Sequence, residues 1–152
     1  MSVLLFAYGT NMASAEMSDW CPAAHFLGPA RLDGHRLELR RRSIRWRGGA
    51  ADIVRAPDSV WGALYEVPED ALDRLDSKEG EGFAYQRRAV DVLLDGERRE
   101  ALAYEVIDKE PAEVPCTAEY AELLLGGARE RDLPDAYVEA LRLRLPVSVQ
   151  RP

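Results

Sequence analysis

The first hydrophobic segment of the chain is a nearly continuous apolar run close to the N-terminus. Val3 to Tyr8 has the composition of a strand that is buried on both faces of a sheet. The run stops at Gly9, and two short polar side chains, Thr10 and Asn11, follow it. Such a strand end can present peptide N–H groups to an anion or an oxyanion. Because glycine turns are common, an ordinary hairpin turn is the alternative interpretation.

Six further segments are predicted to be strands from their alternating or β-branched and aromatic composition. They are residues 25–30, 36–40, 50–55, 60–67, 85–94 and 101–107. We expect the first of them to be a short edge strand that runs into a turn at Asp33–Gly34. Pro57–Asp58 is expected to end the strand 50–55, and Asp95–Gly96 is typical of a tight hairpin turn.

Helices are predicted in four places. They are residues 11–20, a segment from Pro68 to near Gly80, a segment from Cys116 or Thr117 to Leu125, and a last helix from Leu133 to about Arg144. Gly126–Gly127 is expected to loosen the third helix after Leu125. Strands outnumber helices without a regular βαβ alternation. The fold class is therefore predicted as α+β, a mixed sheet or barrel with helices packed outside it.

The composition is that of a single globular domain spanning residues 1–152. Apolar residues make up 47% and charged residues 31% of the chain, which argues against disorder. The formal net charge of −7 repels polyanions, so nucleic acid is not an expected partner. The arginine-rich run Arg40–Arg47 is interpreted mainly as a solvated strand face and loop. A phosphate or nucleic-acid patch and a pocket rim that selects acidic leaving groups are the alternatives.

Two cysteines, Cys21 and Cys116, are far apart and have no metal-ligand spacing. A disulfide scaffold is therefore not expected, and Cys116 is interpreted as a packed free thiol. The N-terminus lacks the basic and apolar regions of a signal peptide, and no apolar run reaches the length of a membrane span. We therefore expect a cytoplasmic protein without a membrane partner. Both a monomer and a homodimer are compatible with the pattern.

Candidates for acid–base chemistry lie at the end of the second predicted helix, where Asp76, Glu79 and Glu81 run into glycines. A carboxyl group in a cleft loses water, and its pKa rises toward the neutral range that a general acid–base needs. The alternative is a solvated surface glutamate, which is the commonest situation of this residue. His25 and His35 lie in no motif, and the chain has neither a zinc pattern nor a glycine-rich phosphate loop. Any catalysis is therefore expected to need no metal and no cofactor.

Several segments match, in order, the motifs of one known family. Phe6–Met12 is similar to an F-A-Y-G-S-N-M/L signature, and Leu75–Gly80 matches an L-D-x-x-E-G motif. The other similar segments are Gly49–Ile53 with Val60–Tyr65, Tyr85 with Arg87–Arg88, Pro115–Tyr120, and Gly127–Ala128 with Leu133–Pro134 and Tyr137. This ordered set resembles the γ-glutamylcyclotransferases and their AIG2-like relatives. The resemblance covers about Leu5 to Leu141, and the ordered set of motifs is highly specific.

The resemblance implies a compact mixed β-barrel that acts as a cofactor-independent γ-glutamylcyclotransferase. This activity converts a small γ-glutamyl amine or γ-glutamyl amino acid into 5-oxoproline and the free amine. Glu79 carries over as the catalytic acid–base. The expected substrate-binding residues are Leu5, Phe6, Ala7, Tyr8, Gly9, Thr10, Asn11, Tyr85 and Tyr120, and no metal ligand is implied.

Two alternatives retain the same pocket. One is the removal of a γ-glutamyl protecting group from a specialised metabolite by the same chemistry. The other is a non-catalytic module that binds a γ-glutamyl or other carboxylate ligand. The chain also departs from the family pattern, because Thr10 replaces the usual serine and Cys116–Thr117 stands where serine is common. The leaving amine is therefore left open.

Overall fold

The computed structural model describes residues 1–79 and 84–148, apart from the side chain of Glu79. The predicted glycine-rich loop 80–82 and the end of the C-terminal tail therefore lie outside the described residues. Within the described part of the chain, no helix is long and apolar enough to cross a membrane.

Five strands form a closed barrel in the order β1-β3-β2-β4-β5. The strands are β1 Ser2–Ala7, β2 His25–Ser43, β3 Gly48–Pro68, β4 Tyr85–Leu94 and β5 Glu97–Val106. β1 runs antiparallel to β3, and it closes the barrel by a parallel contact with β5, where Leu5 faces Leu102. One parallel pair among antiparallel pairs makes the sheet mixed, so the predicted α+β class with a mixed barrel is confirmed.

The described helices pack around this barrel. They are α1 Ser14–Trp20, α2 Leu72–Glu79, α3 Ala118–Glu130 and α4 Asp135–Arg144, with single 3₁₀ turns at Thr10–Met12 and Glu69–Ala71. The core joins both layers, because Phe6 of β1 and Leu64 of β3 are as fully buried as Leu75 of α2 and Leu124 of α3. The continuous apolar character of β1 follows from this central position.

Two predicted turns are wrong, because β2 and β3 run through them. Asp33 pairs with Ser59 and His35 pairs with Arg55, so Gly34 lies opposite the predicted turn at 57–58. Gly34 has a φ of +75°, a conformation that glycine adopts without strain. The two sites are thus one bulge at which both long strands bend together. The segment 25–30 is the first part of the long strand β2, and its residues pair with β3.

The third helix also continues beyond its predicted end. α3 passes through both glycines, because Gly127 lies where the helix packs against the N-terminal segment. A Cβ atom on Gly127 would lie only 2.7 Å from the backbone nitrogen of Ala13. Glycine at this position therefore permits close packing within a helix and does not end it.

Candidate active site

A cavity of about 270 Å³ opens at the end of the barrel where β1 leaves the sheet. This volume is close to the lower end, ~300 Å³, of typical small-molecule sites. Four parts of the chain border it: the end of β1 with the following residues, the tip of the β2–β3 hairpin, the end of α2, and three tyrosines. The lining includes Leu5–Asn11, Arg41, Ser43–Trp46, Ala50, Ala51, Ser77, Lys78, Ala84, Tyr85, Tyr104 and Tyr120.

Residues Tyr8–Asn11, which we call the corner, are held in place through backbone carbonyl groups. The Tyr65 hydroxyl donates to the carbonyl oxygen of Asn11 at 2.8 Å. Arg131 Nε donates to the carbonyl oxygen of Met12 at 3.0 Å. Because these bonds attach to carbonyl groups, they fix the path of the corner without using its N–H groups.

Gly9 leaves the main chain of the corner accessible from the cavity. Its φ is −111°, so the residue does not use the left-handed region. A Cβ atom at this position would lie 3.4 Å from the Ala51 Cβ atom and 3.8 Å from the Tyr120 hydroxyl. Both are ordinary contacts with residues that line the cavity, so a side chain at this position would extend toward the cavity. Glycine here therefore keeps the main chain open on its cavity side.

One residue of β3, Ala51, orients two tyrosine hydroxyls in the cavity through its N–H and its carbonyl group. The N–H of Ala51 donates to the Tyr120 hydroxyl oxygen at 2.7 Å, and the Tyr85 hydroxyl donates to the Ala51 carbonyl oxygen at 3.0 Å. The Tyr120 oxygen accepts from Ala51, so its own proton is directed to another acceptor. The Tyr85 hydroxyl donates its proton to the Ala51 carbonyl oxygen, so the Tyr85 oxygen can accept a hydrogen bond from a donor. The two neighbouring hydroxyls therefore have opposite polarity.

Tyr120 is positioned by its own helix and by the hairpin tip, residues Ser43–Arg47. Thr117 caps α3, and its hydroxyl accepts from the Tyr120 N–H at 3.1 Å. Trp46 packs edge-on against the Tyr120 ring, with ring centroids 5.3 Å apart. Cys116 is fully buried, and this burial raises the pKa of its thiol. The interpretation of Cys116 as a packed free cysteine agrees with this environment, and the family's serine position corresponds here to a helix cap.

The end of α2 reaches the same cavity through a nearly buried lysine. The Lys78 side chain is 4% exposed, and its ammonium group contacts the Asn11 side-chain oxygen. Glu16 Oε1 lies 3.0 Å from Lys78 Nζ and 2.6 Å from an Arg45 nitrogen. Burial raises the pKa of Glu16, but the hydrogen bonds and charges of Lys78 and Arg45 outweigh this effect and hold it below its ordinary value. This ion cluster (Glu16, Arg45 and Lys78) joins α1, α2 and the hairpin tip.

The two candidate acids of α2 have different environments. Asp76 accepts from the Tyr104 hydroxyl at 2.6 Å and from Arg87 at 3.0 and 2.6 Å, so it ties α2 to β4 and β5. Glu79 is the last residue of α2 and directly follows Lys78, which lines the cavity. The side chain of Glu79 lies outside the described residues, so its catalytic role stays a prediction. Among the residues that are described, no three His, Cys, Asp or Glu side chains come together as a metal site.

Comparison with known proteins decides the family. The model of the family described as γ-glutamyl cyclotransferase, AIG2-like, matches residues 5–122 of this chain. The chain belongs to the γ-glutamyl cyclotransferase family. The family that the ordered motifs predict is thereby confirmed.

Relatives in the γ-glutamyl cyclotransferase family match nearly the whole chain. Human γ-glutamylcyclotransferase is 30% identical over 148 residues, which is 93% of this chain and 78% of the human protein. The mouse enzyme is 31% identical over 146 residues, covering 91% of this chain and 77% of its own length. A solved γ-glutamyl cyclotransferase structure superposes with a TM-score of 0.92 at 28% identity, covering 100% of this chain and 92% of the other.

All nine residues predicted to bind substrate line the cavity. Their contacts with substrate stay predictions. Lys78 and Tyr104 also line the cavity but were not predicted from the sequence. Glu16, which lies in the adjoining ion cluster, was not predicted either. A charged residue directly before Glu79 and the arginine run around Trp46 were the available signals. The less favoured interpretation of that run, a pocket rim, agrees with the position of the hairpin tip.

Proposed function

We propose that this protein is a γ-glutamylcyclotransferase that acts on a small γ-glutamyl amine or γ-glutamyl amino acid and releases 5-oxoproline. The observation that carries the proposal is that the corner and the end of α2 border one cavity. The corner supplies main-chain dipoles, and α2 supplies the position of Glu79. Membership of the family and the names of the relatives support the same activity.

The reaction balances without water or an enzyme nucleophile. The α-amino nitrogen of the glutamyl group attacks its own γ-amide carbonyl carbon and forms the C–N bond of a five-membered lactam. The C–N bond to the leaving amine then breaks. Intramolecular attack is favourable once the glutamyl chain is folded back in the cavity, because little further ordering is needed.

Glu79 is proposed to move the proton that the reaction must transfer. The substrate amine arrives as an ammonium group and must lose a proton before it attacks. The leaving nitrogen must gain a proton before it departs. One carboxylate can accept the first proton and donate it to the leaving amine, which is general acid–base catalysis.

The corner and the oriented tyrosines are proposed to bind the polar groups of the glutamyl half. The N–H groups of Gly9 and Thr10 precede the first hydrogen bond of the 3₁₀ turn, in which Met12 donates to Gly9. Such N–H groups can bind the α-carboxylate or the oxyanion of the tetrahedral intermediate. Tyr120 would donate to an anionic oxygen, and Tyr85 would accept from the α-ammonium group, in line with their opposite polarities.

The test is to incubate the protein with γ-glutamyl amino acids and γ-glutamyl amines and to measure 5-oxoproline. Glu79→Gln should keep the fold and lower kcat by roughly 10²–10⁴-fold. Asp73→Gln is the matched control, because Asp73 is an exposed carboxylate on the same helix. Full activity of Glu79→Gln would disprove the assigned mechanism.

Binding of 5-oxoproline or glutamate without any turnover would instead support the non-catalytic module. Removal of a γ-glutamyl protecting group from a specialised metabolite uses the same chemistry and stays a prediction. A cytoplasmic location and a single domain over residues 1–152 are likewise part of the proposal.

A further inference from the structure

A buried ion pair lies next to the residue of β3 that orients Tyr85 and Tyr120. Asp52 directly follows Ala51, and its side chain is fully buried. Ala51 lines the cavity, whereas Asp52 is not among the lining residues. Any influence of Asp52 on a bound molecule must therefore pass through its neighbours.

Both carboxylate oxygens of Asp52 bind the end of β5 and the residues that follow it. Asp52 Oδ1 accepts from the Val106 N–H at 2.9 Å, and Asp52 Oδ2 accepts from Lys109 Nζ at 2.6 Å. Lys109 Nζ also donates to the Val106 carbonyl oxygen at 3.2 Å. Because β1 lies between β3 and β5 in the barrel order, these bonds connect two strands that are not neighbours in the sheet.

The bonds of Asp52 close a ring that contains the Tyr85 hydrogen bond. Val106 is the residue of β5 that pairs with Tyr85 of β4. The Tyr85 hydroxyl returns to β3, where it donates to the Ala51 carbonyl oxygen at 3.0 Å. Asp52 therefore holds both the backbone that carries the donor and the backbone that carries the acceptor. The Ala51 N–H, which donates to Tyr120, belongs to the same residue and is fixed with it.

Net stability is a weak reason for a fully buried carboxylate at this position. Burial raises the pKa of Asp52, and the contacts with Lys109 and Val106 act in the opposite direction. A buried ion pair must offset the desolvation of both groups, so its net contribution to stability is usually small. The Lys109 side chain is 31% exposed, and its Nζ also lies 3.2 Å from a Glu105 oxygen, so its charge is partly balanced elsewhere. Control of geometry is the better explanation.

We propose that Asp52 is a positioning residue for the reaction, which acts through Ala51 to hold the Tyr85 and Tyr120 hydroxyls against the glutamyl group. This inference rests on the proposed function, in which both tyrosines bind polar groups of the glutamyl half. A shift of Ala51 moves the acceptor of one hydroxyl and the donor to the other together. Misplacement by about 1 Å can cost ~10²-fold in rate, even when no group that touches the substrate is lost.

The first measurement is kcat and KM of Asp52→Asn, with the γ-glutamyl compound from which wild-type protein releases the most 5-oxoproline. The asparagine keeps an oxygen for the Val106 N–H but loses the charge that holds Lys109. We expect kcat to fall by about 10–100-fold and KM to change much less, because the substrate keeps its contacts but reacts from a poorer geometry. Asp52→Ala also removes the acceptor for Val106, so its kcat should be lower still.

Double-mutant cycles separate positioning from a general loss of structure. If Asp52 acts through the tyrosine hydroxyls, Asp52→Asn should lower kcat less in Tyr85→Phe or Tyr120→Phe protein than in wild type. Independent sites give additive effects. Fully additive losses of kcat in both cycles would therefore overturn the proposal.

Glu38→Gln is the matched control, because Glu38 pairs with Asp52 across β2 and β3 and is also buried. Its carboxylate binds Arg36 and Arg40, which do not line the cavity. The variant should destabilise the same pair of strands and leave kcat close to the wild-type value. Thermal unfolding shows whether each variant is folded. Equal losses of kcat in folded Glu38→Gln and Asp52→Asn would contradict a specific role for Asp52.

Hydrogen exchange followed by NMR tests the inference without any turnover. The Ala51 N–H is protected by its bond to Tyr120. Asp52→Asn should lower the protection of this N–H more than that of the β1 amides. Unchanged protection would overturn the inference even where 5-oxoproline is released. Lowered protection without 5-oxoproline release from any γ-glutamyl compound would support the link from Asp52 to Ala51 and overturn the proposed function.

Discussion

The cavity has an inner wall and a rim, and different interactions hold them. The inner wall consists of the end of β1, the corner and the three lining tyrosines, which are at most 9% exposed. Several of its polar groups are fixed by hydrogen bonds to main-chain atoms, as between Ala51 and Tyr120. The rim is the hairpin tip, where Ile44 is exposed and Arg45 contacts Glu16 and Trp46 through its charge.

This difference separates the two halves of the proposed reaction. The buried wall has little freedom to change, because its atoms touch the core of the barrel, and the glutamyl group bound there is the same in every γ-glutamyl substrate. The rim can change its exposed side chains at little cost in stability, because surface substitutions usually change it by no more than ~0.5 kcal/mol. Substrate selection is therefore expected at the rim and chemistry at the wall.

The strongest way to test this contrast is to add a single methyl group behind the inner wall. In Gly127→Ala the new Cβ atom would lie 2.7 Å from Ala13 N and 3.1 Å from Met12 C. Both neighbours are backbone atoms that cannot turn away, so we expect a loss of about 2–3 kcal/mol in the free energy of unfolding. Urea denaturation measures this loss, and kcat should fall as the corner shifts.

Two substitutions serve as controls for Gly127→Ala. A Cβ atom on Gly126 would have nothing within 4 Å, so Gly126→Ala should stabilise α3 by up to ~1 kcal/mol. At the rim, Ile44→Ser should change stability by no more than ~0.5 kcal/mol. A loss at Ile44 as large as that at Gly127 would contradict the contrast between wall and rim.

A smaller effect is expected from removing one hydroxyl of the inner wall. Tyr120→Phe leaves the buried N–H of Ala51 without its acceptor, and we expect a loss of about 1–2 kcal/mol in the free energy of unfolding. Tyr85→Phe removes the donor to the carbonyl group of the same residue. It should cost less, because unsatisfied buried carbonyl groups are better tolerated than unsatisfied N–H groups. Chemical denaturation that ranks the two variants in the opposite order would contradict the assigned polarity.

The last prediction concerns the ion cluster (Glu16, Arg45 and Lys78) and depends on pH. The pKa of Glu16 is lower in the folded protein than its ordinary value. Its ionised form therefore stabilises the fold above its unfolded pKa of ~4.3, and this contribution is lost as the pH falls through the lowered folded pKa. The difference in unfolding free energy between wild type and Glu16→Gln should be largest near pH 7 and shrink toward pH 3.

The control for this pH dependence is Glu122→Gln, a change at an exposed position of α3. Its stability should stay parallel to that of the wild type across the same range. A difference between wild type and Glu16→Gln that stays constant with pH would show that the ion cluster does not depend on the Glu16 charge.

Some elements could be predicted from residues that are neighbours in the chain. β1 follows from its apolar run, and the β4–β5 hairpin follows from Asp95–Gly96, where both residues have positive φ. The family motifs led to the corner and to both oriented tyrosines. These features depend on residues that are neighbours in the chain or that form part of a motif.

The features that were missed depend on contacts between distant segments. Asp33–Gly34 has the composition of a turn, but pairing with β3 across the bulge keeps the strand continuous. Gly127 lies within a helix because of what it packs against. Likewise, Lys78 and Glu16 meet from different helices, and no spacing within the chain predicts that pair.

The long-range attachment of the corner has a consequence for how the protein folds. The residues that hold it lie far along the chain: Tyr65 is 54 positions from Asn11, Tyr104 is 96 positions from Tyr8, and Arg131 is 119 positions from Met12. Contacts of such separation form slowly, because long loops must close first. During synthesis β1 can pair with β3 once Pro68 has left the ribosome, but the contacts that hold the corner must wait for Tyr104 and Arg131. The binding pocket is completed only when the barrel is, so a folded molecule without a formed pocket is not expected to accumulate.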